Sequence, residues 1–462
     1  MMRKIGCWGI LSALTACTVG PDYKAALPVV PAQWQAAPES AQKLGKTDLK
    51  VYWESFGDAK LNQLINKALL VNLDVKIALA RIDQARSERK GVRAELFPTV
   101  NATGGIQRQS NPFPGLAPGI KYNMFDLGFD AVWEVDLYGR QQRRLESASA
   151  EQDAAIDLHQ QALVSLCAEL ARTYIDFRSA QNQLRITRSN LESQQHTLRL
   201  TEQLYQEGVN ARHDVVRAKA QVETTSAKIP SIEANLIAAL RQLEVLVGQQ
   251  PGTLAAELNA TDKMPMIPSQ IFLSTPIKTV RHRPDIQAVE RRLAAATAMQ
   301  GAAIAEQFPK LSLSAFFGVR NRDIESLFKS AAFSYGTAAN LMQPLLDFGR
   351  IQAGINLAEA KQKEAYLAYE KTVLEALQET ETTLTRYLKE EVRRQAIAKS
   401  IVELQESMRL SQLRYQEGVV SFLEVLDAQR ELYNAEIDLA RSDAATATYL
   451  IACYKSMGGG VS

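Results

Sequence analysis

The chain has 462 residues, of which 46% are apolar and 23% charged, with a formal net charge of +2. That length allows two or three ordinary domains, and the composition excludes a disordered chain. Near-neutrality gives no general attraction to nucleic acid or to an acidic surface.

Residues 1–16 read as an export signal. Arg3 and Lys4 precede an apolar stretch from Ile5 to Leu14, and small residues follow, which is the order of a secretory signal. Losing that segment takes the formal charge from +2 to zero. Leu14-Thr15-Ala16-Cys17 resembles a bacterial lipobox, in which Cys17 is acylated and becomes the new N-terminus; a plain secretory signal with a chance cysteine is the alternative. Thr18 follows the cysteine, where aspartate would favour inner-membrane retention in such lipoproteins. Each buried CH2 of an acyl chain contributes about 0.8 kcal/mol, so a multiply acylated Cys17 would anchor the chain stably. Residues 17–55, with Pro21, Pro28, Pro31 and Pro38, read as that anchor and an extended strap.

Two repeats follow, residues 56–250 and 271–458, joined by a connector at 251–270 and ending in a short tail at 459–462. YQEGV occurs at Tyr205 to Val209 and again at Tyr415 to Val419, 210 residues later. RAELFP (93–98) returns as IAEQFP (304–309), and YGR (138–140) as FGR (348–350). A duplication of this size makes the architecture of one half that of the other.

Within the first repeat, Leu61, Leu64, Ile65, Ala68 and Leu69, then Val75, Ala78, Leu79 and Ile82, recur at helical spacing, with Asn72 dividing two helices. Phe97-Pro98 stops the run. The period then changes to two. Phe125, Leu127, Phe129, Ala131, Trp133, Val135 and Leu137 lie on one face and Asp126, Asp130, Glu134 and Asp136 on the other. Val100, Ala102, Gly104 and Ile106 alternate likewise, with Pro112, Pro114, Gly115, Pro118 and Gly119 in the connecting loop. The second repeat shows Leu311 to Val319 in alternation and a less regular strand near Phe333 to Leu346. Hairpins are thus expected near 98–137 and 309–346. Four strands of about 10 residues, apolar on one side, fit a transmembrane barrel wall; a sheet over a soluble core with one wet face has the same pattern.

Long helices follow at Gln141 to Glu207 and Ile351 to Glu417, 67 residues each and free of proline, so each should extend roughly 100 Å. Gly208 and Gly418 stand where a helix needs a left-handed C-terminal residue. Returning helices are expected at 211–247, kinked by Pro230, and at 421–457, where Ser421 and Glu424 spell a capping box; Asn210 is the candidate cap of the first. Cys167 and Cys453 both lie in helical patterns; a disulfide is permitted, but buried small hydrophobes suit the setting better.

Four strands cannot close a membrane barrel, whose smallest examples have about eight, and open edges are not tolerated in lipid. Two copies would supply eight strands and three copies twelve, the latter leaving room for a solvated lumen.

CTVGPDY, YWESFGDAKLNQLINKAL, RPDIQAVERRLAAATA, IAEQFPKLSLSAFFG, QPLLDFGR, YQEGVVSFLEVLDAQREL and YKSMGGG resemble the TolC-type outer membrane factors, in particular the lipid-anchored branch that serves drug efflux. The resemblance implies a mainly α, internally duplicated homotrimer: a 12-stranded β-barrel in the outer membrane, continuous with a long α-helical barrel in the periplasm. It also implies a periplasmic adaptor and an inner-membrane pump as partners, outer membrane lipid as surroundings, and no cofactor, metal or nucleic acid. In that family the turns lie at the periplasmic tip, so Gly208, Val209, Gly418 and Val419 are expected to face the adaptor. Leu423 and Asp427 match the family's constriction, with His213 and Arg217 as their first-repeat counterparts. This departure makes the tip three-fold rather than six-fold in chemistry, unless Asp427 and Arg217 simply pair. Close carboxylates repel when both are ionised, so acid is expected to alter the closed tip. The strand acids Asp126, Asp130, Glu134 and Asp136 are expected to face the lumen and favour cations.

Other classes fit less well. The histidines at 159, 196, 213 and 282 never stand at metal-ligand spacing with cysteine or acid, and DFGR at 347–350 lacks the other kinase motifs. An enzyme is not expected. A periplasmic structural or adaptor lipoprotein would explain the helices but not the strand pairs, and a protein-secretion duct would share the whole fold.

Overall fold

A computed structural model describes residues 18–25, 28–36, 49–110, 121–209, 211–259, 263–268 and 273–459. Cys17, the signal segment, the prolines of the first hairpin loop and Asn210 lie outside the described residues. The chain divides into two compact units: Met1–Leu27, Ala80–Ile156 and Ala288–Lys371 in one, and Pro28–Leu79, Asp157–Gln287 and Thr372–Ser462 in the other. Each unit draws on both sequence repeats.

After a 3-10 segment at Leu49–Phe56 come α1 (Ala59–Val71), α2 (Leu73–Ala94), β1 (Thr99–Gln109), β2 (Tyr122–Val135), α3 (Arg140–Gln206), α4 (Arg212–Ser226) and α5 (Ile229–Leu246). The short α6 (Ala255–Leu258) and α7 (Pro276–His282) lead into α8 (Pro284–Ala305), β3 (Lys310–Asn321), β4 (Phe333–Met342), α9 (Arg350–Gln416) and α10 (Phe422–Ser456). Asn72 separates α1 from α2 because its Oδ1 accepts from Asp74 N at 2.9 Å and Val75 N at 3.2 Å, capping the second helix while ending the first.

The helix turns repeat in conformation as well as sequence. Gly208 (φ +78°) and Gly418 (φ +73°) are left-handed. Val209 N donates to Leu204 O and Gly208 N to Tyr205 O; Val419 N to Arg414 O and Gly418 N to Tyr415 O do the same. This is the double bond pattern that satisfies the last carbonyls of a helix. The far ends of the returning helices close in the same way at Gly248 (φ +64°) and Gly458 (φ +77°), again 210 residues apart.

Three local expectations change. Pro230 breaks the first returning helix rather than kinking it: α4 stops at Ser226 and Pro230 sits at the second position of α5, where its missing N–H needs no partner. Ser421 caps α10 by position, but its side chain makes no cap bond. The Glu424 carboxylate lies 4.0 Å from the Arg414 guanidinium. The fourth strand ends at Met342, since Pro344 cannot extend a ladder.

The apolar core lies in the second unit. Trp34, Trp53, Phe56, Leu61 and Ile65 pack with Leu170, Ile175, Leu243, Leu258 and Leu450. Cys167 and Cys453 belong to this core as unbonded thiols, and burial pushes each up to about 12. In α3, Leu166, Thr173, Ala180, Thr187, Gln194 and Thr201 are all buried at intervals of seven. In α9, Val373, Thr380, Tyr387, Ile401 and Met408 follow the same period. A straight helix drifts about 20° per heptad, so keeping these positions inward winds both helices left-handed.

Arg178, almost fully buried, is held by its own surroundings. It donates to Leu258 O at 2.9 Å and to the Tyr174 hydroxyl at 2.8 Å, and that hydroxyl donates to Asp58 Oδ2 at 2.9 Å. Arg178, Tyr174 and Asp58 thus partner one another in a relay, as a buried cation requires.

Candidate functional site

The four strands form one antiparallel sheet in the order β1-β2-β3-β4. Register carries the alternation of each strand onto its neighbour: Ala102 faces Phe129, Phe129 faces Phe317, and Phe317 faces Tyr335. One face therefore bears Val100, Ile106, Leu127, Phe129, Phe317, Phe333, Tyr335 and Leu341, all exposed in the single chain. Each such side chain loses about 1.5–3 kcal/mol by staying in water instead of being buried. A sheet covering a soluble core would have hidden this face. Lipid or another chain must cover it.

The opposite face is polar, with Asn101 opposite Asp130, Asp126 opposite Arg320 and Glu134 opposite Ser312. Phe316 is an aromatic residue on this face: its ring lies over Gly128 and Gly318, and the Arg320 guanidinium stands 4.8 Å from the ring centre. A β-carbon at Gly318 would sit 2.3 Å from Leu127 O, so only glycine allows this approach.

The four strand acids are not equivalent. Asp130 accepts from Thr103 Oγ1 at 2.9 Å, and Asp126 lies across the ladder from Arg320. Glu134 binds Arg140 at 2.8 Å, and Arg140 also binds Glu306 at 3.0 Å. Asp136 lies beyond the end of β2 and accepts the Gln142 N–H at 2.8 Å, satisfying an unpaired donor in the first turn of α3. Asp126 and Asp130 thus line the strand wall, while Glu134 and Asp136 hold the strand-to-helix corner.

At the helix turns, Val209 and Val419 are exposed. Leu423 and Asp427 stand one turn apart on α10, on the side opposite Phe422, Val425 and Ala428, which pack against Ala218 and Met408. Asp427 pairs with Arg430 on its own helix at 3.1 Å, not with Arg217. His213 and Arg217 are exposed on α4 while Val215 and Ala218 face inward. Above the turns, α3 meets α10 across a polar seam. The Thr187 and Tyr433 hydroxyls are 3.2 Å apart, and Gln429 Nε2 donates to Thr197 Oγ1 at 3.0 Å. Gln194 is buried with neither amide atom bonded among the described residues.

Sequence reasoning missed the seat of the N-terminal segment. Val19 N donates to Tyr138 O at 3.2 Å, and Arg143, buried to 4% side-chain exposure, donates to Val19 O at 3.2 Å, Gly20 O at 3.3 Å and Asp22 at 2.7 Å. A β-carbon on Gly139 would lie 2.6 Å from Thr18, and one on Gly20 would lie 2.5 Å from the Gly301 Cα. The lone glycine of α8, Gly301, was the available signal.

The family model described as "Outer membrane efflux protein" matches residues 64–249 and 277–459. Nodulation protein T of Rhizobium leguminosarum bv. viciae is 30% identical over 437 residues, 92% of this chain and 87% of that protein. Solvent efflux pump outer membrane protein SrpC of Pseudomonas putida is 28% identical over 463 residues, 97% of each chain. The solved structure of the outer-membrane channel OprN matches with a TM-score of 0.90 at 35% identity, covering 96% of this chain and 99% of that one.

Proposed function

The chain belongs to the outer membrane efflux protein family, and from that premise we propose that three copies form an outer membrane channel-tunnel, the exit duct of a tripartite efflux system for small toxic compounds such as drugs. The observation that carries this reading is the two-faced sheet with an exposed apolar side and a polar one. Four strands from each of three chains make twelve, enough for a closed wall around a solvated lumen. The helices continue the duct into the periplasm, where a periplasmic adaptor and an inner-membrane pump complete the system. Relatives bear names as different as nodulation and solvent efflux, which supports a duct that leaves choice of cargo to its pump.

The turns at Gly208, Val209, Gly418 and Val419 form the docking tip in this reading. Leu423 and Asp427 close the tip, with His213 and Arg217 between them. Exposure of these side chains and the polar α3–α10 seam support it, because a polar seam shifts without losing apolar burial. Asp126 and Asp130 bias the lumen toward cations. Cys17 carries the lipid anchor; the seating of Thr18 against Gly139 at the foot of the sheet supports an anchor beside the membrane.

Deleting the gene should raise drug susceptibility, and complementation with the full chain should restore resistance and copurify an adaptor. Unchanged susceptibility together with no conductance in planar bilayers would overturn the reading in favour of a periplasmic structural lipoprotein. Export of a protein instead would favour a secretion duct. Cys17→Ser should abolish incorporation of labelled palmitate.

A further inference from the structure

The unit that contains the sheet also holds a cavity of about 460 Å³ between α3, α8 and α9. It lies on the polar side of the sheet. Arg140, in its wall, joins the two: Nη2 donates to Glu134 on the polar face at 2.8 Å, and Nη1 to Glu306 just past α8 at 3.0 Å. The N-terminal segment lies against the other side of α8, with Gly20 on Gly301 and the Tyr23 hydroxyl donating to Glu290 at 2.9 Å. Gly301 and Glu290 each stand about 200° around that helix from Met299 and Arg292, which line the cavity.

The cavity is apolar along its length and charged at its ends. Ala295 and Ala302 are buried in its floor, while Met299 and Leu357 beside them are 45% and 57% exposed. From Arg292 to Glu306 the chain advances about 21 Å. At the end near the sheet the cations are satisfied, Arg140 by Glu134 and Glu306 and Arg144 by Glu95. At the far end, Glu151, Arg292 and Lys361 come one from each helix. All three are exposed and make no ion pair or hydrogen bond among the described residues.

The fold does not require this lining. Equivalent residues of the two repeats are 211 apart in α2 and α8 and 210 apart in α3 and α9. The stripe of α2 equivalent to Ala295, Met299 and Ala302 is Gln84, Glu88 and Gly91, a polar choice that suits a helix face in water. Ser147 corresponds to Leu357, and Glu151 to Lys361. The second repeat thus carries apolar side chains and a base where the first carries polar ones and an acid. Exposed apolar side chains in a groove rimmed by unpaired charge mark a place for a ligand.

We propose that this cavity binds an anionic amphiphile, its apolar body along Ala295, Met299, Ala302 and Leu357 and its anionic group between Arg292 and Lys361. Two free cations against one free acid leave that end with a net charge of +1, which selects an anion. Arg292 can hold two oxygens of a carboxylate or sulfate in its fork, and Lys361 adds a point charge. The binding chemistry stands without assembly; that the ligand is cargo in transit rests on the proposed duct.

The test is lysine footprinting of the full-length chain in phosphatidylcholine nanodiscs, with dodecanoate as the probe. Acetylation by an N-hydroxysuccinimide ester is followed at Lys361 and at Lys363, which is exposed on α9 outside the cavity. Dodecanoate should slow modification of Lys361 and leave Lys363 unchanged; methyl dodecanoate, which lacks the charge, should protect neither. Arg292→Ala should raise the half-protecting concentration about tenfold, the effect of one charge-assisted hydrogen bond. Glu151→Gln should lower it, and Leu357→Ser, the residue of the first repeat, should raise it. These positions are exposed, so the variants should fold. Equal protection of both lysines, protection by the ester, or an unchanged response in Arg292→Ala would overturn the proposal. No protection in a chain that conducts in planar bilayers would overturn the site and leave the duct standing. Protection in a chain that forms no channel would uphold the site and overturn the duct.

Discussion

Asn72 and Arg283 are equivalent residues of the two repeats, and each donates to the final carbonyl of a returning helix: Asn72 Nδ2 to Leu246 O at 3.0 Å and Arg283 Nη1 to Ser456 O at 2.7 Å. Next to them, a β-carbon on Gly248 would lie 3.4 Å from Val71 O, and one on Gly458 would lie 3.2 Å from His282 O. Duplication has kept the geometry and changed the side chain. Arg283 does more than Asn72, because its fork also binds Asp285 at 2.6 and 3.0 Å and Glu379 at 2.8 Å. Burial alone would lower the Arg283 pKa, but these carboxylates raise it, so the cation is kept.

Arg283→Ala should therefore destabilise the chain more than Asn72→Ala, by about 3 against about 1 kcal/mol. Arg283→Lys should recover only part of the loss, as it keeps the charge without the fork. Thermal unfolding in detergent measures the order; equal losses would show that the carboxylate contacts contribute little.

Glu244 gives the second unit an acid-sensitive joint. It is fully buried, and burial would raise its pKa, yet the Arg241 hydrogen bond and the Leu254 and Gly252 N–H groups hold it below the ordinary value of 4.5. A depressed folded-state pKa stabilises above the unfolded value, and that contribution disappears as pH falls through the folded value. Melting temperature should drop below about pH 4.5 in the natural chain. Glu244→Gln should melt lower at neutral pH and lose part of that acid slope; a slope identical to the natural chain's would remove Glu244 as its source.

Two classes of glycine should respond differently. Gly208→Ala has open space for its β-carbon but keeps a left-handed φ, so about 1 kcal/mol is expected. Gly318→Ala must push β2 and β3 apart and should cost about 3 kcal/mol. Heat-modifiable migration of the assembled barrel should be retained in the first and weakened in the second.

In planar bilayers, Asp427→Ala should raise single-channel conductance if that acid helps close the tip; unchanged conductance would end its proposed role. Gln194→Leu should have the opposite effect, since it replaces unbonded buried amide atoms with apolar contact and stiffens the α3–α10 seam. Reversal potentials of Asp126→Asn and Asp130→Asn channels should shift toward anions, whereas Asp136→Asn, at the helix start, should alter stability and not selectivity.

Elements, their periods and the duplication were legible in the sequence, because a helix or strand exposes its period in the spacing of apolar residues such as Leu61, Leu64 and Ile65 or Phe125, Leu127 and Phe129. The left-handed glycines were legible too, since few other residues take that backbone at low cost. Partners were not. The binding of Arg140 by Glu306, the capping of a returning helix by Arg283 and the clamp of Arg143 on Val19 and Gly20 depend on which chain segments meet. A charged residue has the same signature in a sequence whether it faces a lumen, caps a helix or seals a corner; only tertiary structure assigns its neighbour, and its neighbour decides its role.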